Sequence, residues 1–451
     1  MDGGIFGQIF IPDPFREAVS GRAWLQAMLD AEAALATAEA RVGLIPAAAA
    51  ESIVSCCEAT RFDPGELGHA GRGAGNLVPP LVKALTAAVS EVSKGAARHV
   101  HKGATSQDIL DTAAMLVTRR ALDLVLAELT DICRACARLA EVHRGTVMAG
   151  RTLLQQALPT TFGLKTAGWL VSVLEVRRRL AEVREQGLAA QLGGAAGTLA
   201  SLGDHGVPVL GEFARELGLA EPAVPWHTDR TRSAEIGGSL SLAAGVLGKI
   251  SRDVILMAQT EVGEVAEPAG EGRGGSSTLP HKRNPILSVI ATANTRRAQA
   301  STQTLYGSMA GEHERAAGAW HAEWEALSEA LALTGGAAAA VRETVEGLQV
   351  YPERMRRNLD ETGGMLMAEN VVTVVADRLG RLEAHEIVRT AAQRAADGGR
   401  PFRDELLAEP ALQDRLSPDE IDAALDPAGY LGSSGEFIDR ALILYHREVS
   451  T

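Results

Sequence analysis

The sequence predicts an all-α fold: three helical domains with a central bundle of long helices that merges in a homo-oligomer. Three observations predict it. Apolar residues recur at helical spacing along almost all of the 451-residue chain. The stretch from Ala104 to Arg144 holds neither glycine nor proline, and as one helix it would run about 60 Å. Strand signals are weak, with "GQIFIP" (7–12) the one stretch read as extended.

In chain order, "AWLQAMLDAEAALATAEARVG" (23–43) places Trp24, Met28, Ala31, Leu35 and Ala38 on one face, and Gly43 is suited to end that helix. The long stretch at 104–144 follows. A further helix is expected from Thr231 to Val265, where Gly237, Gly238, Gly245 and Gly248 allow close backbone approach. Two more are expected over Pro285 to Tyr306 and Trp320 to Leu348. No internal repeat is apparent, which argues against a solenoid. We read residues 1–100 as an N-terminal helical domain and 101–350 as the bundle. Residues 351–451 would form a helical cap, opening at "VYPERM" and containing "DPAGYLGSSGEF". Rods of this length expose apolar stripes, and merging bundles in an oligomer covers them.

Composition excludes several roles. A net charge of −13 disfavours a nucleic-acid binder, which needs excess Lys and Arg against phosphates. It leaves room for a local positive pocket that attracts small anions. No apolar run approaches membrane-spanning length, and "MDGGIFGQIF" does not read as a signal peptide, so a cytoplasmic protein is expected. The four cysteines are Cys56, Cys57, Cys133 and Cys136, too few and too poorly spaced for a disulfide framework. "CRAC" (133–136) lies in a helical run without a second ligand pair and reads as ordinary thiols.

The chemistry concentrates in "GGSSTLPHKRNP" (274–285), where no acidic residue interrupts the segment from Arg273 to Asn284. Asn284 followed by Pro285 is a helix-start signature, which would turn the positive end of the next helix toward this loop. Lys282 and Arg283 add charge, and Gly274-Gly275 would let backbone N–H groups approach an anion. In that field a serine alkoxide is less unfavourable than in water. Ser276 or Ser277 could then move a proton at a carbon beside a carboxylate. The ordinary alternative is a Gly-Ser surface loop.

The full string G-S-S-x-x-P-x-K-x-N-P resembles the signature of the fumarase/aspartase superfamily. "HKGATSQDILDT" (101–112) resembles that family's first block and "GRTLLQQALPTTFG" (150–163) its second, in the expected order. The resemblance covers essentially the whole chain, including "LDPAGYLGSSGEFIDRAL". It implies an all-α homotetramer of three-domain subunits, without cofactor or metal, whose active sites each draw their three blocks from three subunits. It also implies that Thr105, Ser106, Gln155, Lys282 and Asn284 bind substrate carboxylates, with Ser276 carrying the proton and Ser277 hydrogen-bonding beside it. The residues alone do not separate the two serines. Arg315 is suited to a further carboxylate because Arg grips one bidentately. His101 and His281 sit inside the motifs as donors to substrate or as structural residues. His227, Arg230 and Arg232 in "HTDRTR" are weaker candidates for substrate contact, and Asp108 and Asp111 are expected to orient the first block. His143, His205 and His385 read as ordinary surface or core residues.

One departure narrows the reaction. Most of the superfamily reads G-R-T-H in the second block, where the His is associated with protonating a departing group; here the position is Leu153. A carboxylate needs no such proton, because its conjugate acid has a pKa near ~4. The superfamily's cycloisomerase branch, which lactonises 3-carboxy-cis,cis-muconate in aromatic degradation, also lacks this His in bacteria. "AGNLVPPLVKAL" (74–85) and "GEHERAAGAWHAEWEAL" (311–327) resemble the same branch. Two rivals stay open. One is a superfamily lyase releasing fumarate from a succinyl compound such as nitrosuccinate or adenylosuccinate. The other is a catalytically silent relative serving as a binding or structural protein.

Overall fold

The computed structural model describes residues 4–270, 275, 279, 282–398 and 400–449. The principal elements are α1 (Gly4–Phe10), α2 (Gly21–Arg41), α3 (Val78–Val92) and α4 (Ser106–Val142). A hairpin, β1 (Val147–Thr152) and β2 (Gln155–Thr161), leads into α5 (Phe162–Glu182), α6 (Gly206–Leu217) and α7 (Thr231–Met257). Then come β3 (Val265–Ala266), α8 (Ile286–Gly307), α9 (Ala319–Glu346) and β4 (Gln349–Val350). The rest includes α10 (Pro352–Asp360), α11 (Ala368–Leu379), α12 (Arg381–Gly398) and α13 (Ser434–Val449). The fold is mostly helical, as expected. At 37 residues, α4 is about 55 Å long.

Two compact units partition the chain: 1–129 with 175–249 and 290–340, and 130–174 with 250–289 and 341–451. In the first unit, Leu25, Met28, Leu29 and Leu35 of α2 are buried with Leu81 and Leu85 of α3 and Phe213 of α6. Ser20 starts α2 by accepting a hydrogen bond from the Ala23 N–H at 3.1 Å. The glycines of α7 let α8 come close. A Cβ at Gly237 would meet Leu305 at 2.9 Å, one at Gly238 the Tyr306 hydroxyl at 2.5 Å, and one at Gly248 the Thr295 hydroxyl at 3.1 Å. In the second unit, Val371, Val375, Val388, Phe402, Leu406 and Ile421 form a separate apolar cluster.

Three local expectations are corrected. The segment read as extended belongs in part to α1, a helix of about two turns whose last carbonyl, that of Phe10, accepts from Asn294 Nδ2 at 2.7 Å. The helix expected to reach Val265 stops at Met257. Gly263 turns left-handed there (φ +60°), and the Glu264 N–H returns to the Met257 carbonyl at 2.9 Å. Finally, the second block, outside the one stretch read as extended, is a β-hairpin, with Val147 opposite Thr161 and Thr152 opposite Gln155. Its register shifts between Ala149 and Arg151, at Gly150, where a Cβ would stand 2.8 Å from the Leu158 carbonyl oxygen.

Candidate functional site

In the first unit the first block is anchored by two buried carboxylates. Asp108 accepts four hydrogen bonds: from the N–H groups of Thr105, Gly193 and Gly194, each at 2.9 Å, and from His227 Nε2 at 2.7 Å. It therefore caps α4 and ties the Thr105-Ser106 start of that helix to the glycine loop at 193–194. One turn on, Asp111 accepts from both terminal nitrogens of Arg230 at 2.8 and 3.1 Å. It also accepts from Trp320 Nε1 at 2.9 Å and Gln107 Nε2 at 3.0 Å. Arg230 completes a second two-point grip on Glu323 at 2.9 and 2.5 Å and lies over the Trp226 ring. Burial pulls the Arg230 pKa down, yet Asp111 and Glu323 hold it above the usual arginine value. Burial raises that of Glu323 despite Arg230. His227 and Arg230, each 4% exposed, thus serve the scaffold beneath the first block, and Arg232 donates to the Gly187 carbonyl at 2.9 Å.

Two further candidates join this neighbourhood. Arg315 donates to the Ala195 carbonyl at 3.0 Å, on the same glycine loop that Asp108 holds. His101 has a left-handed backbone (φ +56°), and its Nδ1 lies 2.6 Å from Glu32 Oε1. A carboxylate only accepts, so Nδ1–H donates. Burial opposes a charged imidazole, but the Glu32 charge and hydrogen bond, helped by Asp108, override it and raise the His101 pKa. Glu32 escaped the sequence reading, although an acid in line with Met28 and Leu35 on the apolar face of α2 was a visible signal.

The second unit holds the other two blocks. Arg151, near the turn end of β1, grips Glu264 at 3.0 and 2.7 Å, and Asn358 Nδ2 donates to the same carboxylate at 2.8 Å. The turn itself consists of Leu153 and Leu154, both left-handed (φ +50° and +67°) and 98% and 74% exposed. Gln155, also exposed, opens β2 beside them. Lys282 is exposed and Asn284 half-buried; Ser276, Ser277 and His281 lie outside the described residues.

At α8 the expected helix tip is already in use. Glu267 accepts from the N–H groups of Leu287 (2.9 Å) and Ser288 (2.7 Å) and from the Ser288 hydroxyl (2.6 Å). The Ile286 N–H bonds the Asn284 carbonyl at 2.9 Å, and that of Val289 bonds the Pro285 carbonyl at 3.0 Å. Asn284 and Pro285 therefore precede a helix capped by a carboxylate, and the tip does not stand open to a substrate anion. The positive charge of this segment comes from Lys282 and Arg283.

The described residues include no group of three or more His, Cys, Asp or Glu able to hold a metal ion, and no helix long and apolar enough to cross a membrane. Cys56, Cys57, Cys133 and Cys136 are buried outside any disulfide, and burial pushes the Cys57 and Cys136 thiols up. In the first unit the start of α4 lies with Arg315 and His101 near the first block; in the second, Gln155, Lys282 and Asn284 are the described polar residues of the other two blocks.

Comparison with known proteins agrees with this chemistry. A family model described as Lyase matches residues 11–300, and one described as Adenylosuccinate lyase C-terminus matches residues 364–441. The 3-carboxy-cis,cis-muconate cycloisomerase of Bradyrhizobium diazoefficiens is 48% identical, over 96% of this chain and 96% of its own. The nitrosuccinate lyase of Streptomyces davaonensis is 45% identical, over 98% of this chain and 95% of its own. The crystal structure of 3-carboxy-cis,cis-muconate lactonizing enzyme from Pseudomonas putida is 44% identical and covers 98% of this chain and 99% of its own, with a TM-score of 0.94. The long helices, the capped first block, the hairpin of the second and a match over most of the length converge: this chain belongs to the lyase family of the fumarase/aspartase superfamily.

Proposed function

We propose that this protein is an intramolecular lyase that closes 3-carboxy-cis,cis-muconate to 4-carboxymuconolactone. The observation that carries the reading is near-full-length identity of 48% to a cycloisomerase of that name, joined to Leu153 at the tip of the second block. One substrate carboxylate adds through oxygen to a carbon of the substrate's own double bond, forming the C–O bond. The electron pair moves to the carbon beside another carboxylate. The Ser276 hydroxyl delivers a proton there and is reprotonated from water, with Ser277 hydrogen-bonding beside it. The carboxylates are held by Thr105 and Ser106 at the start of α4, by Gln155, Lys282, Asn284 and Arg315, and by His101 and His281. With the α8 tip occupied by Glu267, the charge that favours a Ser276 alkoxide falls to Lys282 and Arg283.

The enzyme works in the cytoplasm as a homotetramer of subunits organised as 1–100, 101–350 and 351–451, each site gathering blocks from several copies. Exposed apolar residues support this assembly: Leu153 and Leu154 at the hairpin tip and Leu242 on α7.

A second reading, elimination of nitrite from nitrosuccinate, is favoured by the 45% identical lyase and by a leaving group that also needs no proton. Loss of diene absorbance with 3-carboxy-cis,cis-muconate, run beside a panel of succinyl substrates followed for fumarate, separates the two. Turnover in the panel alone overturns the cycloisomerase reading, and turnover nowhere favours a silent relative. Ser276→Ala should abolish turnover with helix content and assembly intact; near-normal activity would remove the serine from its role.

A further inference from the structure

On α2, Glu32 and Glu39 stand two turns apart in the apolar stripe that contains Met28 and Leu35, 1% and 0% exposed. Acids are rare there because burying an unpaired carboxylate is expensive. Glu32 is paired: its Oε1 accepts from His101 Nδ1 at 2.6 Å, while its Oε2 and both Glu39 oxygens are buried without hydrogen-bond partners.

The backbone holds the ring against Glu32 at some expense. His101 is left-handed (φ +56°), a conformation that strains a non-glycine residue. Gly103, two residues on, is also left-handed (φ +74°), and a Cβ there would stand 2.3 Å from Leu202. The loop cannot relax by a simple flip, since Thr105 is tied to Asp108 and Asp108 to Gly193, Gly194 and His227. Such strain at a single histidine beside a substrate-binding helix start is characteristic of functional positions.

The charged groups facing this ring are Glu32 and Asp108, both favouring its cation, with Lys102 and Glu39 next to them. Burial pushes Glu39 up to about 8, with Glu32 adding to the rise and Lys102 opposing it. At neutral pH Glu39 is then largely uncharged, which leaves Glu32 as the carboxyl group in direct contact with the His101 ring. With Nδ1 committed to Glu32, Nε2 is the nitrogen left for another partner.

We propose that Glu32 is a positioning residue of this active site, which orients His101 and holds it as a charged donor, so that Nε2–H grips one carboxylate of the substrate. The inference rests on the polycarboxylate reading above for the identity of the anion and names a buried ion pair as what fixes one of its binding groups.

The test has a substrate-free arm. The ring signals of His101, assigned by their absence in His101→Gln, are titrated by NMR in the tetrameric wild type and in Glu32→Gln and Glu32→Asp. We expect Glu32→Gln to lower the His101 midpoint by at least about one unit, a tenfold change in the protonation equilibrium, and Glu32→Asp to restore most of it. In turnover with 3-carboxy-cis,cis-muconate, Glu32→Gln should raise KM about tenfold above pH 7, with KM near pH 5.5 and kcat changed less than about threefold. Propane-1,2,3-tricarboxylate, an unreactive probe, should lose affinity in parallel. An unchanged His101 midpoint, or a loss equal at every pH, overturns the proposal. Should Glu32→Gln not fold, Glu32→Ala is titrated in its place, and an unchanged His101 midpoint there overturns the pairing seen at 2.6 Å. A displaced midpoint and weakened tricarboxylate binding in an enzyme inert toward carboxymuconate would keep the pairing and refute the substrate instead.

Discussion

Around the start of α4, Asp108, Asp111 and Arg230 are tied to partners of their own unit: Asp108 accepts four hydrogen bonds, Asp111 four more, and Arg230 is gripped at two points by each of two carboxylates. At the β1–β2 tip, two leucines occupy left-handed backbone positions that a two-residue hairpin usually fills with Asn-Gly, and their side chains stand out from the unit. The first arrangement is complete within one chain. The second makes physical sense once something apolar covers it, as a neighbouring copy would. One unit thus holds a rigid polar base, and the other a strained, exposed apolar tip.

The largest expected effect probes the rigid base. Arg230→Met leaves Asp111 and Glu323 buried without their cation, and should cost about 3–5 kcal/mol of stability, read from the denaturant midpoint. A loss below about 1 kcal/mol would mean that the base is softer than its bonds imply.

Next comes Glu39, the one group in that region with no partner for either oxygen. Its folded pKa of about 8 lies above the ordinary 4.5. A raised value means that the unfolded chain releases this proton first. The folded state keeps its full stability below about pH 4.5 and loses it progressively as pH climbs toward 8. Glu39→Gln should therefore stabilise the protein by up to about 3 kcal/mol at pH 7 and by almost nothing at pH 4. A gain that does not vary with pH would contradict it.

The smallest effect on stability concerns the tip. Replacing Leu153-Leu154 by Asn-Gly gives the turn its preferred residues and should stabilise the hairpin by about 1 kcal/mol, seen as a small rise in Tm. Turnover should fall at least about tenfold if the leucines reach into a neighbouring site. Higher stability with full activity would sever the tip from function.

Helices were the legible part. Their apolar period and the Gly- and Pro-free run at 104–144 translate directly into α4, and the glycines of α7 mark its close approach to α8. The hairpin was hidden because its turn is Leu-Leu, which no turn preference predicts, and because Gly150 marks a bulge rather than a break. Asp108 and Asp111 were visible in the motif. Their partners were not: His227, Arg230 and Trp320 lie roughly one to two hundred residues away, where spacing carries no information. The α8 tip misled for a local reason. Asn-Pro is a sound start signal, but a carboxylate some twenty residues earlier, Glu267, takes the N–H groups that it advertises.

Glu267 also offers a dial. Its charge quenches the electrostatic pull of a 22-residue helix while leaving Lys282 and Arg283 untouched a few residues away. A neutral amide at that position would leave part of the helix's field uncancelled near the same basic pair, so affinity for multiply charged acids could be retuned from outside the reacting atoms, and with a weaker dependence on salt than an added surface lysine would bring.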